Sequence, residues 1–304
     1  MNYLMAKEVG VFRYVWKRLI WRLIRFMPGT DCALRLPNGM MFKAPKESSC
    51  AADVFVTGGA LDWGTEWILV EYLKRRPGCV LVDVGANVGF YSTFLSPYYR
   101  KGYAFDPDSR NQHPLWMLKA RLPELDVLDL AVCDHDGMVP FSPGIESSVS
   151  SLGGEGAADT VRCVTLDSYF DGRPDEVAVI KIDIEGYDVL ALRGSFRLIA
   201  KHRPVVALEV EVEDGKPNSP EAVVEVAERL CMDVYAVVRT DPSWWRCRYD
   251  LVKFQPGDWG ARWVKMVILA PREDERFCEV IRSLPASWDG GLVRGVKPFR
   301  YEVP

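Results

Sequence analysis

Val80-Leu81-Val82-Asp83-Val84-Gly85-Ala86-Asn87-Val88-Gly89-Phe90-Tyr91 is the stretch on which the fold turns. Its apolar run, 79–84, reads as a buried strand, and a helix starts near Val88. Between them Gly85 and Gly89 permit a tight turn and a close backbone approach to a ligand. Asn87 stands where a G-x-G-x-x-G loop has its second glycine, and a side chain there argues against a pyrophosphate cofactor. The absence of G-x-x-x-x-G-K-[ST] excludes a P-loop. A ligand with one carboxylate, one ammonium and no phosphate fits better. Loop and helix-start amides would take the carboxylate, and Asp83 the ammonium, directly or through water. Asp106 follows Gly89 by 17 residues at the end of a second strand, placed to grip ribose hydroxyls. A methionine-like end joined to a ribose is S-adenosylmethionine.

Outward from this turn, short apolar runs at 79–84, 102–105, 127–132, 178–182, 205–210, 234–238 and 263–269 alternate with helical patterns. The helical patterns lie at 88–95, 111–121, 189–200 and 221–231. Such alternation predicts an α/β fold, a doubly wound and mostly parallel sheet covered on both faces. Two further β-like pieces, 138–141 and 161–164, flank a Ser/Gly-rich stretch at 147–156 that reads as a mobile loop.

The turn resembles the opening motif of the FkbM-type methyltransferases. The resemblance continues through Ala104-Phe105-Asp106-Pro107, where the family more often has Glu, then through 130–137 and Val164-Thr165-Leu166-Asp167. It includes Ile180-Lys181-Ile182-Asp183-Ile184-Glu185-Gly186 and Pro204 to Glu209, and ends near Pro271. It implies the Rossmann-like class I methyltransferase fold, a seven-stranded sheet with its last strand antiparallel. It also implies methyl transfer from S-adenosylmethionine, usually to a hydroxyl of a sugar, glycolipid or secondary metabolite. By the same resemblance Asp134 lies near the adenine. The Ser-rich stretch with Ser148 and Ser150 would cover the cofactor or recognise the acceptor.

Asp83, Asp106, Asp183 and Glu209 all fall at carboxyl ends of strands, the edge where open α/β sheets bind ligands. Asp183 and Glu185 are expected where cofactor and acceptor meet, with Tyr91 completing the cofactor set. The acceptor hydroxyl must lose a proton as the methyl arrives. Asp183 is the first candidate base and Glu209 the second. His113 and His202 read as surface histidines. Asp183 and Glu209 could instead hold a divalent cation with waters, but no third ligand is evident and a metal is not favoured. Trp244, Trp245 and Arg246 suit a sugar ring stacked on an aromatic face with guanidinium donors at its hydroxyls. The expected reaction is therefore O-methylation of a sugar, glycolipid or polysaccharide. The rivals are a polyketide or other small acceptor, and a non-catalytic scaffold.

The 304 residues carry 38 Lys plus Arg against 42 Asp plus Glu, a net charge of −4 that is too mild to argue for nucleic acid. An apolar fraction of 48% with 26% charged residues excludes disorder, and no run is long enough to span a bilayer. The eight cysteines show neither C-x-x-C nor zinc spacing, which points to a reducing, cytoplasmic setting.

The first thirty residues are different, with six basic side chains against Glu8 alone. Over 9–27, Phe12, Val15, Trp16, Leu19, Ile20, Leu23, Phe26 and Met27 share one helical arc, with Arg13, Lys17, Arg18, Arg22 and Arg25 opposite. Such a helix either lies on an anionic membrane surface at the inner face or packs on protein, its own domain or a second copy in a homodimer, with its basic face solvated. The expected organisation is an accessory segment at 1–56, a methyltransferase domain at 57–271 and an extension at 272–304.

Overall fold

The computed structural model of the chain describes residues 3–29, 31–142, 151–152, 159–210, 219–243, 246–254 and 263–287. It opens with α1 (Tyr3–Val9) and α2 (Val11–Phe26), followed by the hairpin β1 (Asp31–Arg35) and β2 (Met41–Pro45), then α3 (Ser49–Thr57) and α4 (Thr65–Lys74). The strand-and-helix alternation begins with β3 (Val80–Val84), α5 (Phe90–Phe94), β4 (Lys101–Phe105), α6 (Ser109–Lys119) and β5 (Leu125–Leu128). A second group follows: β6 (Ala131–Val132), β7 (Gly137–Ser142), β8 (Ser151–Leu152) and β9 (Asp159–Val164). The chain then passes through α7 (Leu166–Tyr169), β10 (Val177–Ile182), α8 (Asp188–Arg193), α9 (Phe196–His202), β11 (Val205–Glu209) and α10 (Pro220–Arg229). It closes with β12 (Met232–Ser243), β13 (Arg246–Lys253), β14 (Trp263–Pro271) and α11 (Glu275–Ser283).

The main sheet runs β13-β12-β14-β11-β10-β3-β4-β5. Its five strands from β11 to β5 are parallel; β14 is antiparallel to β11, β12 to β14, and β13 to β12. Every residue of β3 and β10 is buried, as a strand covered on both faces requires. The sheet has eight strands where the family resemblance implies seven. The addition is β13, an edge strand in which buried Cys247 and Tyr249 alternate with exposed Arg248 and half-buried Asp250. Its interleaved charges hide the strand inside a stretch that reads as an acceptor-binding segment.

A four-stranded sheet, β6-β9-β7-β8, sits beside the main one and accounts for the two extra β-like pieces. The apolar run at 127–132 divides between the two sheets, with β5 in one and β6 in the other. The single helix expected at 189–200 breaks into α8 and α9 at Gly194-Ser195. A Cβ at Gly194 would overlap the Cys133 carbonyl, and Asp167 accepts from the Arg197 and Leu198 amides at 3.0 and 2.8 Å to start α9.

At the amino end, Gly10 (φ 87°) separates α1 from α2 within the helix expected at 9–27. Tyr14 and Trp21 of α2 point inward, and Trp21 stacks on Phe55 of α3 at 5.6 Å. Two cations also face the domain. Lys17 donates to the Phe55 and Val56 carbonyls at 3.0 and 2.9 Å, and Arg18 pairs with Asp53 at 2.8 Å. The basic residues thus do not form one solvated face opposite the apolar arc, because the last carbonyls of α3 supply acceptors that a periodicity argument cannot see.

Candidate active site and family

The carboxyl ends of β3, β4, β10 and β11 open on a cleft of about 270 Å³. Gly85, Asn87, Tyr91, Asp106, Asp183, Glu185 and Glu209, all expected at the site, line it. So do residues that sequence reasoning passed over: Ser49, Cys50 and Asp53 of α3, Asp62, Lys181, and Lys265 of β14.

The glycine turn is built differently from the expectation. Gly85 (φ 72°) lines the cleft and also lies tight against protein, since a Cβ there would overlap the Asp183 carbonyl. Gly89 (φ 81°) lies against Leu115 and Leu118 of α6 and does not line the cleft. The turn's amides are already engaged. Those of Gly85 and Ala86 donate to the Phe105 carbonyl at 2.9 and 3.0 Å, that of Gly89 to the Ala86 carbonyl at 2.8 Å, and that of Asn87 to Asp106 Oδ2 at 2.7 Å. These four amides are therefore not waiting for a ligand carboxylate. Asp106 Oδ1 also accepts from the Asp108 amide at 2.9 Å and Asn111 Nδ2 at 3.1 Å, so Asp106 clasps the turn to the end of β4. Burial pushes its carboxyl up to about 7 despite those donors.

Asp83 is fully buried behind the turn and outside the cleft lining. Its Oδ2 accepts from the Ser92 amide and hydroxyl at 3.0 and 2.7 Å, and Lys181 Nζ lies 3.8 Å from its Oδ1. Burial raises its carboxyl above the ordinary value against the pull of Lys181. It braces Lys181 and the head of α5.

The floor of the cleft is a chain of alternating charges. Lys181 Nζ donates to the Gly85 carbonyl at 3.0 Å and pairs with Asp183 Oδ2 at 3.2 Å. Burial disfavours that ammonium, but Asp183 and Asp83 outweigh it and raise Lys181 above its ordinary range. Asp183 in turn hydrogen-bonds Glu209. Burial opposes the Asp183 charge, yet Lys181 and this hydrogen bond hold its carboxyl below the usual value. Burial and then the Asp183 charge push Glu209 well above its usual range, which favours Glu209 as the donor in this hydrogen bond. On the far side Lys265 Nζ pairs with Asp62 Oδ1 at 2.6 Å, and the Tyr91 hydroxyl donates to Asp62 Oδ2 at 2.6 Å. Asp62 and Glu209 raise Lys265 although burial works against its charge. Lone lysines inside the apolar runs of β10 and β14 were the available signal for Lys181 and Lys265, since a cation is left in a strand core only where acids face it.

A model of the family described as "Methyltransferase FkbM domain" matches residues 83–235. The chain belongs to the FkbM methyltransferase family. It carries an S-adenosylmethionine-dependent methyltransferase domain, and its sheet has the mixed, mostly parallel order of the class I methyltransferase fold. Among solved structures it is similar to methyltransferase FkbM from Methylobacillus flagellatus, 15% identical with a TM-score of 0.43. That match covers 86% of this chain and 60% of the other, so the chain spans less than two thirds of that relative. It is also similar to a Streptococcus mutans methyltransferase in complex with SAH, at 11% identity and TM-score 0.39, covering 68% of this chain and 94% of that one. TYW2 of M. jannaschii in complex with AdoMet matches at 14% identity and TM-score 0.40, covering 80% and 87%. No curated protein matches.

The FkbM motif Lys181–Gly186 owes its shape to Asp188 at the head of α8. Its carboxylate accepts from the Ile184 and Gly186 amides at 3.2 and 3.3 Å, and Glu185 takes a φ of 50° between them. This turn separates Asp183 from Glu185 while both still line the cleft. Oxygens of Asp183, Glu185 and Glu209 lie within 4.8 Å of one another. Asp134 is exposed and bonded to His135 Nδ1 at 2.8 Å, outside the cleft lining. His202 Nδ1 accepts from the Val177 amide at 3.0 Å, a structural contact. Ser148, Ser150, Trp244 and Trp245 lie outside the described residues; Arg246 starts β13, and its side chain is likewise outside them.

Proposed function

We propose that the domain transfers a methyl group from S-adenosylmethionine to a hydroxyl oxygen of a sugar or glycolipid. The observation that carries this reading is the hydrogen-bonded Asp183–Glu209 pair at the floor of the cleft, with Lys181 Nζ 3.2 Å from Asp183. A hydroxyl acceptor has a proton to lose, and Asp183 is an anion placed to take it. Lys181 at 3.2 Å holds Asp183 in the ionised state. The hydrogen bond to Glu209 fixes the orientation of the Asp183 carboxylate.

The chain's own residues fit the cofactor. Phe105, Leu130, Val132 and Ile184 supply apolar walls for a flat base, Asp106 lies among them for ribose hydroxyls, and Asp183 and Glu185 offer negative charge to a cationic end. When bound, the cofactor supplies a methyl group on an electrophilic sulfonium; the new oxygen–carbon bond forms as the sulfur–carbon bond breaks. Much of the acceleration then comes from alignment. The positive charge that a divalent ion would bring to the acid cluster is already present as Lys181 and Lys265, and we assign the transfer no metal. Asp53, Asp62, Lys265 and Ser49 around the remaining space favour a polyhydroxylated acceptor over an apolar polyketide. The scattered spacing of the eight cysteines, with no C-x-x-C pair, supports a reducing, cytoplasmic compartment.

The test is methyl transfer from isotopically labelled cofactor to a panel of sugar nucleotides, oligosaccharides and membrane-extract lipids, with the product bond assigned by NMR. Methyl ethers on sugar hydroxyls are expected. Label found only on nitrogen, or only on polyketide acceptors, refutes the reading.

A further inference from the structure

We propose that α2 is a docking surface for an anionic lipid bilayer, with its apolar arc entering the headgroup region and its outer arginines meeting lipid phosphates. The side of α2 turned away from the domain is apolar. Phe12 is 93% exposed, Phe26 88%, Leu23 67%, Trp16 65% and Leu19 49%, with Val15 also exposed. At 100° per residue these six side chains fall on one arc. Exposed Arg22 and Arg25 lie along one margin of that arc and exposed Arg13 along the other. A soluble surface rarely presents so many large apolar side chains together without a partner.

The helix is clamped in this orientation rather than merely resting there. Lys17 and Arg18 tie its inner side to α3, and Lys46, itself buried, donates to the Met27, Pro28 and Gly29 carbonyls at 2.8, 2.9 and 2.9 Å. The 16 residues of α2 give about 24 Å of helix at 1.5 Å per residue. No helix among the described residues is long and apolar enough to cross a membrane, so the geometry suits a helix lying in the interface plane.

Charge selects the occupant. From Val9 to Gly29 the chain carries five basic residues and no acid, and the adjoining Glu8 is paired with Arg239 at 2.8 Å. Two copies joined through this face would bring arginine margins together with no carboxylate from either helix to meet them. Anionic headgroups supply the missing charge. Aromatic side chains at headgroup depth are favoured for the same physical reason as in membrane-protein belts.

The surface lies close to the cleft. Helix α3, on which α2 packs, contributes Ser49, Cys50 and Asp53 to the cleft wall, and Asp53 is the partner of Arg18. Packed helices sit about 8–10 Å apart, so a bilayer at the outer side of α2 brings a lipid-borne hydroxyl near the cleft. That last consequence rests on the glycolipid reading; docking itself does not.

Vesicle flotation tests the docking. The parent should float with phosphatidylcholine vesicles containing about 30% phosphatidylglycerol and lose binding with added salt. It should not float with phosphatidylcholine alone. The combined change Phe12→Ser, Trp16→Ser and Leu23→Ser should cut the bound fraction at least tenfold, as should Arg13→Gln with Arg22→Gln and Arg25→Gln. All six side chains are exposed, so melting temperature and S-adenosylhomocysteine binding should match the parent. Those controls keep a loss of docking distinct from a failure of the methyl-transfer reading. Docking is overturned if the parent ignores anionic vesicles, or if both triple variants float as it does. It is equally overturned if the parent is a dimer that the apolar triple splits while vesicles stay bare, which makes a second copy the occupant.

Discussion

Asp183→Asn keeps the size of the side chain while removing the charge and the proton-accepting oxygen, so it separates chemistry from architecture. The structural cost follows from Lys181. Its ammonium lies 3.2 Å from Asp183 and 3.8 Å from Asp83. At an effective dielectric of 20 those separations correspond to gross attractions of about 5 and about 4 kcal/mol. The substitution removes the first and leaves the second, so the buried cation is not stranded. The Asp183 side chain is 32% exposed, and water recovers much of what is lost, leaving a net destabilisation of about 1–2 kcal/mol. Loss of the proton acceptor should lower kcat by about 10²–10⁴, which is about 3–5 kcal/mol of barrier. The assay combines initial rates with labelled cofactor, denaturant unfolding, and calorimetry with S-adenosylhomocysteine. Turnover within about threefold of the parent, with the product affinity intact, would refute the proton-acceptor role. A collapse of stability larger than that of activity would refute the claim that Asp83 keeps Lys181 satisfied.

Asp106 has its carboxyl raised by burial to about 7 from 3.8. A raised acid contributes stability below its unfolded value that is lost as pH climbs through the folded one. Unfolding free energy should therefore fall by about 4 kcal/mol between pH 4 and 8 from this group, and Asp106→Asn should flatten that slope in denaturant titrations. Gly85→Ala places a Cβ on the Asp183 carbonyl at a φ of 72°; a lowered melting temperature, about 1–3 kcal/mol, should accompany weakened S-adenosylhomocysteine binding in calorimetry. Because Lys181 and Lys265 already balance the acids, rates measured with EDTA should equal those with Mg²⁺. A requirement for added cation would instead assign the Asp183, Glu185 and Glu209 oxygens to a metal.

Local pattern determined a good deal of this protein. Predominantly apolar runs foretold β3 and β10, because a strand covered on both faces admits a polar side chain only where a partner meets it, as Lys181 meets Asp83 and Asp183. The glycine turn and the Lys181–Gly186 motif identified the family, and the rule that strand ends face the ligand placed Asp106, Asp183 and Glu209 in one cleft. What periodicity could not supply was pairing over long chain distances. Asp62 and Lys265 are brought together only by the antiparallel insertion of β14 beside β11. Asp83 reads in the sequence as an anion for the ligand, directly or through water, and it lies buried outside the cleft lining, where Ser92 and Lys181 reach it. The amides of the turn look open and are spoken for by Phe105 and Asp106. The hydrophobic pattern of α2 revealed two faces, but a helical wheel carries no information about which face the rest of the chain will cover. Tertiary contacts decided that, since the Phe55 and Val56 carbonyls of α3 and the carboxylate of Asp53 satisfy Lys17 and Arg18 on the inside and leave the apolar arc outward.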